Sequence, residues 1–411
     1  MILALRMAWR NLWRHSRRTW LTALAMVFSN VLLIFLITLQ FGSYDMMINN
    51  TLRAYSGHAQ VQHPAWNESA RLRDSLPAVI DLAADLRQEL ARSLPGIQVA
   101  ARASAFALAS SAERSFGIQV VGVEPEFERG VSTLPGLVNQ GRYLEAGAAA
   151  EIVLGSVMAR NLKVGVGDEI TLLGSGRDGS FAAGIVRVAG IFDSGVPDLD
   201  RGLSAVPLRW FQETFTMGDH GHAVVLSLAD LAETARAVEL IRKLAPPDSA
   251  VLDWQELQPG LKQAIQADLS SAWFMYAVLV VLVAFSVLNT QLMSVLERTR
   301  EFGMVMALGI RPGRMAALVM LEATLMAALG LALGLLLGWA VAAWFEMNGF
   351  TYPGMAEMAD RFNLPARIYP AVNPFTMMMG PAVVFLFSVL ASLYPALRLF
   401  RLQPVQAMRA A

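Results

Sequence analysis

The sequence predicts an α-helical membrane protein with four transmembrane helices and a large α/β domain inserted between the first and second of these helices. Hydrophobic residues make up 55% of the 411 residues and charged residues only 16%, against roughly 25% charged residues in soluble domains. Four apolar runs each reach the length of about 20 residues that a bilayer core requires. The stretch between the first two runs is more polar and is long enough to fold as one sizeable domain.

The N-terminal segment, residues 1–19, carries five arginines and no acidic residue. On a helix, Arg6, Arg10, Arg14 and Arg17 form one stripe beside an apolar one. This pattern predicts a helix that lies in the membrane interface with its arginines toward anionic headgroups. The alternative is the first part of a signal peptide, but the following apolar run is too long and lacks an A-x-A cleavage site.

The predicted spans are residues 20–42, 272–295, 316–345 and 374–397, joined by residues 296–315 and 346–373 and followed by a tail, 398–411. Asn30 and Gln40 are polar residues within the first span, where we expect them to face protein. Gly330, Gly334 and Gly338 repeat every four residues in the third span. Small residues on one face let two helices approach closely, here the second or fourth span of the same chain or, as the alternative, a second copy.

Residues 43–270 show a mixed α/β pattern between the first two spans. Alternating apolar residues predict strands at 57–63, 117–123, 151–154, 169–173 and 184–192, and helical spacing predicts helices at 78–94 and 229–244. Residues 254–271 are polar but helical in pattern, and we interpret them as a stalk that leads into the second span.

The distribution of arginine predicts the orientation of the chain. Besides the five N-terminal arginines, residues 296–315 carry four and the C-terminal tail carries three, whereas residues 346–373 have two arginines and three acids. Cytoplasmic segments are the ones enriched in arginine and lysine. We therefore expect both termini and residues 296–315 in the cytoplasm, and the α/β domain on the other side of the membrane.

The sequence gives no support to an enzymatic function. A P-loop places lysine directly after glycine, but the three lysines, Lys163, Lys243 and Lys262, follow leucine or arginine. The chain lacks cysteine, and its formal net charge of zero does not suggest nucleic-acid binding. The cluster Asp219–His222 is the best metal-like group, and a polar turn explains it better. Asp193, Asp198, Asp200 and Arg201 are interpreted as a solvated loop.

The stretch 289–314 stands out because a charged, amphipathic segment lies between two apolar runs and ends in Gly309, Pro312 and Gly313. Charged side chains are costly in hydrocarbon, so this segment must lie just outside the bilayer while joined to both spans. Such an element can pass force between a soluble partner and the membrane.

Residues 294–309, SVLERTREFGMVMALG, are similar to the coupling-helix signature E-R-x-R-E-[IF]-G…A-L-G. With the four-span layout, this segment makes the whole chain resemble MacB/FtsX-type ABC transporter permeases, and most of all the lipoprotein-releasing (Lol-type) permease subunits. Supporting segments are Gly57-His58, VGVEP at 121–125, EIVLGSVMA at 151–159, VGD at 166–168, and the tail residues 394–396, Pro404 and 407–409. One departure is Met306, where many relatives have a basic residue.

The resemblance implies a permease without a nucleotide site or cofactor of its own, driven by a cytoplasmic ABC ATPase dimer that binds ATP and Mg. It implies that the ATPase contacts Glu297, Arg298, Arg300, Glu301, Gly303, Leu308 and Gly309. It also implies a second permease chain, identical or different, and a lipoprotein or amphipathic substrate taken from the outer leaflet or the periplasmic side and passed to a periplasmic acceptor or adaptor.

Apolar residues at the outer ends of the first two spans could receive acyl chains; they are Phe35, Phe41, Met46, Met47, Phe274 and Met275. Plain helix packing or contact with membrane lipids is the alternative for each of them. Two other functions stay open within this superfamily. One is an efflux permease that works with an adaptor and an outer-membrane duct, and the other is a signalling permease that controls a periplasmic hydrolase.

Overall fold

A computed structural model describes residues 2–14, 16–147, 150–362 and 365–401. The chain forms two compact units. The helical unit contains the residues up to Asp45, Ala264–Tyr352 and those from Arg367 onward, and the sheet unit contains Met46–Gln263 and Pro353–Ala366. The tail motif predicted at Pro404 and 407–409 lies outside the described residues.

Within the described residues, four helices are long and apolar enough to cross a membrane, which confirms the predicted number. We call them the first to fourth spanning helices: Ser16–Thr51, Pro259–Glu297, Pro312–Asn348 and Pro374–Arg398. A separate N-terminal helix, Ile2–Arg14, precedes them, and a short helix, Thr299–Ala307, lies between the second and the third. The third and fourth begin with proline, whose fixed φ suits the first helical position.

The first and second spanning helices pack antiparallel. Thr22 Oγ1 donates to Thr290 Oγ1 at 3.2 Å near one end, and Gln40 Nε2 donates to Asp268 at 2.9 Å near the other. The core of the helical unit draws on all four spanning helices. The predicted stalk at 254–271 is not one helix, because a short helix, Trp254–Leu257, ends before the second spanning helix begins at Pro259.

The glycines of the third spanning helix face the first, not the second or fourth as predicted. A Cβ added to Gly330 would lie 2.8 Å from Met26 Cβ, and one added to Gly334 would lie 2.5 Å from Asn30 Cβ. A Cβ on Gly338 would lie 2.4 Å from Ile34 Cδ1. Asn30 uses this close approach to donate to the Gly330 carbonyl at 3.2 Å, which explains a buried polar residue in an apolar helix.

The sheet unit is built on one sheet, to which the described residues contribute ten strands. They are β1 Ala59–Gln62, β2 Gln98–Ser110, β3 Ser115–Val123, β4 Val138–Gly141, β5 Glu151–Gly155, β6 Glu169–Ser175, β7 Phe181–Phe192, β8 Leu203–Pro207, β9 Ala223–Ser227 and β10 Ala250–Asp253. The order is β10-β1-β9-β2-β3-β8-β5-β7-β4, with β6 bridging β2 and β7. The pairs β3–β8 and β5–β7 are parallel, whereas β2 pairs antiparallel with β3, β6 and β9.

Short helices cover this sheet: Trp66–Ser69, Val79–Ser93, Pro125–Val131, Ser156–Leu162, Pro197–Gly202, Leu208–Thr214 and Thr234–Leu244. Leu52–Ser56 forms a π-helix, and Leu134–Leu137 and Leu231–Glu233 form 3₁₀ turns. The apolar core lies between the strands and helices that include Val79–Ser93 and Thr234–Leu244. The segment predicted as a plain loop, 346–373, contains a helix, Met355–Phe362, and a bridge between Phe350 and Ile368.

Two polar groups of the sheet unit differ from what the sequence suggests. Asp200 is buried rather than solvated, and its carboxylate accepts from the Ser194 amide at 2.9 Å and the Ser194 hydroxyl at 2.6 Å. His222 is a buried core histidine that accepts from the Ser104 amide at Nδ1 (2.9 Å) and stacks on Trp66 at 3.9 Å. The described residues contain no group of three or more His, Asp or Glu side chains that could hold a metal ion.

Candidate functional site

The candidate site is the coupling segment, residues 297–311, between the second and third spanning helices. The second spanning helix ends at Glu297, and Arg298 leaves the helical geometry with φ −99° and ψ 11°. The short helix Thr299–Ala307 follows, and Gly309 then turns the chain with φ +94°. Only glycine adopts this φ without strain. The spacing of four residues between Glu297 and Glu301 would place them on one face of a continuous helix, but they belong to different helices.

The inner face of the short helix is apolar and buried. Phe302, Gly303 and Met306 are its buried residues. Phe302 and Met306 pack in one cluster with Leu399, which directly follows the fourth spanning helix, and with residues from the second, third and fourth spanning helices: Val295, Met315, Ala316, Val319 and Ala396. Met306 therefore occupies an apolar environment in this chain, where a charged side chain would be costly. This packing fixes the segment to the ends of the spanning helices.

The outer face exposes apolar and charged side chains together. Leu308 is 85% exposed, and Met304 and Ile310 are also exposed. Exposed charged residues of the segment are Glu297, Arg300 and Arg311. Exposed apolar side chains rimmed by charges are typical of protein–protein contact surfaces. Of the residues assigned to ATPase contact from the sequence, Arg300 and Leu308 are thus exposed, whereas Gly303 is buried.

Arg298 and Glu301 take part in an ion-pair network within the helical unit. Arg298 Nη1 donates to Glu322 Oε2 at 2.9 Å, and Arg298 Nε lies 3.5 Å from Glu301 Oε2. Glu301 Oε1 lies 3.3 Å from Arg14 Nη2 of the N-terminal helix, and Asn11 Nδ2 donates to Glu322 Oε1 at 2.6 Å. These two members of the signature therefore have partners in their own chain.

Glu322 is a site residue that the sequence analysis missed. It is the only charged residue in the predicted third span, 316–345, and an ionisable residue in such a span points to a partner or a function. That signal was available in the sequence. Its partner Arg298 was not deducible, because the break at Arg298 decides the direction of that side chain.

A second polar cluster joins the first and second spanning helices far from the coupling segment. Asp268 accepts from Tyr44 Oη at 2.6 Å and from Gln40 Nε2 at 2.9 Å, and Tyr276 donates to Gln40 Oε1. Tyr44 and Tyr276 are buried. Gln40, expected to face protein, is the residue that connects all three of the others.

The side chains suggested as acyl-chain contacts fall into different environments. Phe35 packs against Phe345 and Phe350 at ring-centroid distances of 5.1 and 5.6 Å, and Phe41 packs against Phe375 at 6.5 Å. Phe274 is 75% exposed, and Met275 is also exposed. Met46 and Met47 belong to the sheet unit. Phe274 and Met275 are therefore more available to a ligand than Phe35 and Phe41.

In the part of the chain that the structure describes, four apolar helices long enough to span a membrane, a short helix between the second and the third, and a sheet unit form the architecture that the family comparisons match. Residues 273–404 match the family described as FtsX-like permease C-terminal, and residues 19–244 match the MacB-like periplasmic core domain. The second match covers more than half of the chain. The protein therefore belongs to the MacB/FtsX-type ABC transporter permeases.

Curated relatives with similar sequences include both lipoprotein-releasing and macrolide-export proteins. It is 27% identical over 314 residues to the lipoprotein-releasing system transmembrane protein LolC of Xylella fastidiosa, covering 72% of this chain and 74% of the relative. It is 26% identical to LolE of Haemophilus influenzae over 71% of this chain and 72% of the relative. It is also 26% identical to the macrolide export ATP-binding/permease protein MacB of Nitrobacter winogradskyi, covering 64% of this chain and 39% of that relative.

Proposed function

We propose that this chain is the permease subunit of a lipoprotein-releasing ABC transporter. ATP hydrolysis by a separate cytoplasmic ATPase dimer would drive extraction of a lipidated substrate from the outer leaflet of the bacterial inner membrane. The observation that carries the proposal is the coupling segment, a short helix packed on the spanning helices by Phe302 and Met306 while Leu308 stays exposed. The relatives named LolC and LolE, each aligned over more than 70% of this chain, support the substrate class.

In this proposal the ATPase docks on the exposed side of the coupling segment. Leu308 fits the requirement for a contact anchor, because it is apolar and 85% exposed next to the turn at Gly309. Arg300 and Arg311 form its charged surroundings. Closure of the ATPase dimer on ATP would then push on a helix whose other face is fixed to three spanning helices.

The proposal predicts that Leu308→Asp weakens binding of the ATPase at least about tenfold, because burying a leucine side chain contributes about 1.5–3 kcal/mol and 1.4 kcal/mol is a factor of ten. The measurement is the amount of ATPase that copurifies with the chain from native membranes, together with its ATP hydrolysis. Leu244→Asp is the matched control, since Leu244 is an exposed leucine of the sheet unit. An L308D chain that retains the ATPase and supports wild-type turnover would refute the docking assignment.

The substrate contact is proposed on the second spanning helix. Of the residues in its apolar stretch, only 22% are buried, compared with 50% in the first spanning helix. Its exposed side chains include Phe274, Met275, Val278, Leu282 and Phe285. An apolar face of this kind can contact acyl chains, a second permease chain or bilayer lipids. We assign acyl-chain contact to Phe274 and Met275, because methionine adapts to irregular apolar ligands and phenylalanine offers a large apolar area.

An efflux permease is the second candidate, favoured by the match of residues 19–244 to the MacB-like periplasmic core domain. Mass spectrometry of the complex purified from native membranes separates the two functions. Bound lipoproteins support release, whereas a periplasmic adaptor with an outer-membrane duct supports efflux. A periplasmic hydrolase in their place would indicate the signalling alternative.

A further inference from the structure

Glu322 lies in the third spanning helix, only 6% exposed and surrounded by apolar sequence. Both of its carboxylate oxygens have a partner from a different element. Oε1 accepts from Asn11 of the N-terminal helix at 2.6 Å, and Oε2 accepts from Arg298 at 2.9 Å. One buried carboxylate thus connects the third spanning helix to the N-terminal helix and to the start of the coupling segment.

The outermost and the innermost of the three ion pairs in this network differ in what they contribute. The side chains of Arg14 and Glu301 are 62% and 41% exposed, so water and salt screen that pair and it contributes little. The side chains of Arg298 and Glu322 are 14% and 8% exposed. Removing one partner of a buried pair is strongly unfavourable, and the remaining partner of Arg298, Glu301, is farther away at 3.5 Å and 41% exposed. The inner pair therefore holds the position of Arg298.

Arg298 occupies the break between the second spanning helix and the short helix of the coupling segment. Its guanidinium also lies 5.0 Å from the ring centroid of Phe302, the one aromatic residue of that segment, which is buried. A small cavity of about 40 Å³ borders the pair and is lined in part by Asn11, Arg298 and Glu322. Arg298 and Glu322 are thus bonded to each other at the break between two helices, beside a small cavity in the surrounding packing.

We propose that Glu322 is a positioning residue that fixes the coupling segment to the third spanning helix, so that displacement of the segment is passed to that helix. This inference rests on the proposed function of the coupling segment. An apolar contact would hold two helices together equally well. The directional bonds of an Arg–carboxylate pair additionally fix the orientation of the coupling segment relative to the third spanning helix.

The first experiment measures the mobility of the short helix Thr299–Ala307 in the purified full-length chain, without the ATPase. The chain contains no cysteine, so Ala307→Cys, at an exposed position of the short helix, carries a single nitroxide spin label. Glu322→Gln should raise the ratio of the mobile to the immobile spectral component at least about tenfold, since removing one partner of a buried ion pair costs more than the free energy of that factor. The exchange R298E/E322R restores a pair and should return the spectrum toward wild type.

Glu346→Gln is the matched control, because Glu346 is an exposed carboxylate near the other end of the same helix. A wild-type spectrum for E322Q would overturn the proposal. If E322Q does not accumulate in the membrane, the exchange variant decides: an immobile label supports the proposal, and a mobile label overturns it.

The second experiment measures the ratio of lipoprotein-stimulated to basal ATP hydrolysis in the complex. E322Q should copurify the ATPase in wild-type amounts yet lose most of this stimulation, a result that mere destabilisation of the fold does not produce. Unchanged stimulation in E322Q would overturn the transmission role. If the wild-type chain recruits no ATPase while E322Q still mobilises the label, the proposed function fails and the positioning role stands.

Discussion

Two buried histidines of the sheet unit show how single residues make this protein sensitive to pH. Burial lowers the pKa of His222 to about 4, and burial together with the charge of Arg53 lowers the pKa of His58 to about 4. Each ring accepts a backbone N–H at Nδ1, from Ser104 at 2.9 Å and from Leu228 at 3.1 Å. Protonation at Nδ1 would replace each of these bonds by a repulsive contact between two donors.

The unfolded chain binds a proton at each histidine near pH 6.5, whereas the folded chain does so only near pH 4. The stability from each neutral ring is therefore complete above pH 6.5 and is lost as pH falls toward 4, by about 3 kcal/mol per residue. We expect hydrogen exchange in β9, corrected for intrinsic rates, to become faster between pH 7.5 and pH 5. His222→Asn keeps an acceptor without the titration and should reduce this dependence by about half. Equal protection of the β9 amides from hydrogen exchange at pH 7.5 and pH 5 would contradict this prediction.

At the scale of elements, the contact between the first and third spanning helices depends on glycine at particular positions. Gly334→Ala should destabilise the helical unit by about 1–3 kcal/mol, because its Cβ would lie 2.5 Å from Asn30 Cβ. Gly313→Ala in the same helix is the matched control, since its Cβ would lie 3.8 Å from the nearest atom, Phe400 Cζ. We expect G313A to melt at or above the wild-type temperature in detergent, and G334A several degrees below it. Equal melting of both variants would show that the helices adjust.

The same helices show what the sequence could and could not predict. Apolar runs are long enough to be unambiguous, so the four spans were predictable. The glycine spacing indicates a close helix contact, but it carries no information on which neighbour supplies it. At the break, Arg298 bonds to Glu322 of the third spanning helix, a tertiary contact that the local sequence pattern does not encode. A helical pattern that runs on through the signature hides such a break.

In the sheet unit, the strands that were predicted have alternating apolar residues or clear glycine turns, as in β1 and β7. β2 was not predicted, because its first half is buried continuously and in its second half the exposed residues Phe106 and Leu108 are themselves apolar, so the sequence shows no apolar/polar alternation. The strands β4, β8, β9 and β10, which have five residues or fewer, were not predicted either. β8 and β9 are buried on both faces and therefore lack the period of two on which such predictions depend.

At the scale of the whole molecule, the unequal distribution of arginine predicts that the coupling segment faces the cytoplasm and that the sheet unit faces the periplasm. The structure offers sharp test positions for this topology, because Leu308 is 85% exposed and Ala150 is also exposed. The chain has no cysteine, so a single introduced cysteine reports one position. A membrane-impermeant thiol reagent applied to cells with a permeabilised outer membrane should label Ala150→Cys and spare Leu308→Cys.

Positions 5 and 408 should behave like 308. Disruption of the inner membrane should expose all four positions, which controls for burial. Labelling of position 308 but not of position 150 before disruption would reverse the topology, and no cytoplasmic ATPase could then reach the coupling segment.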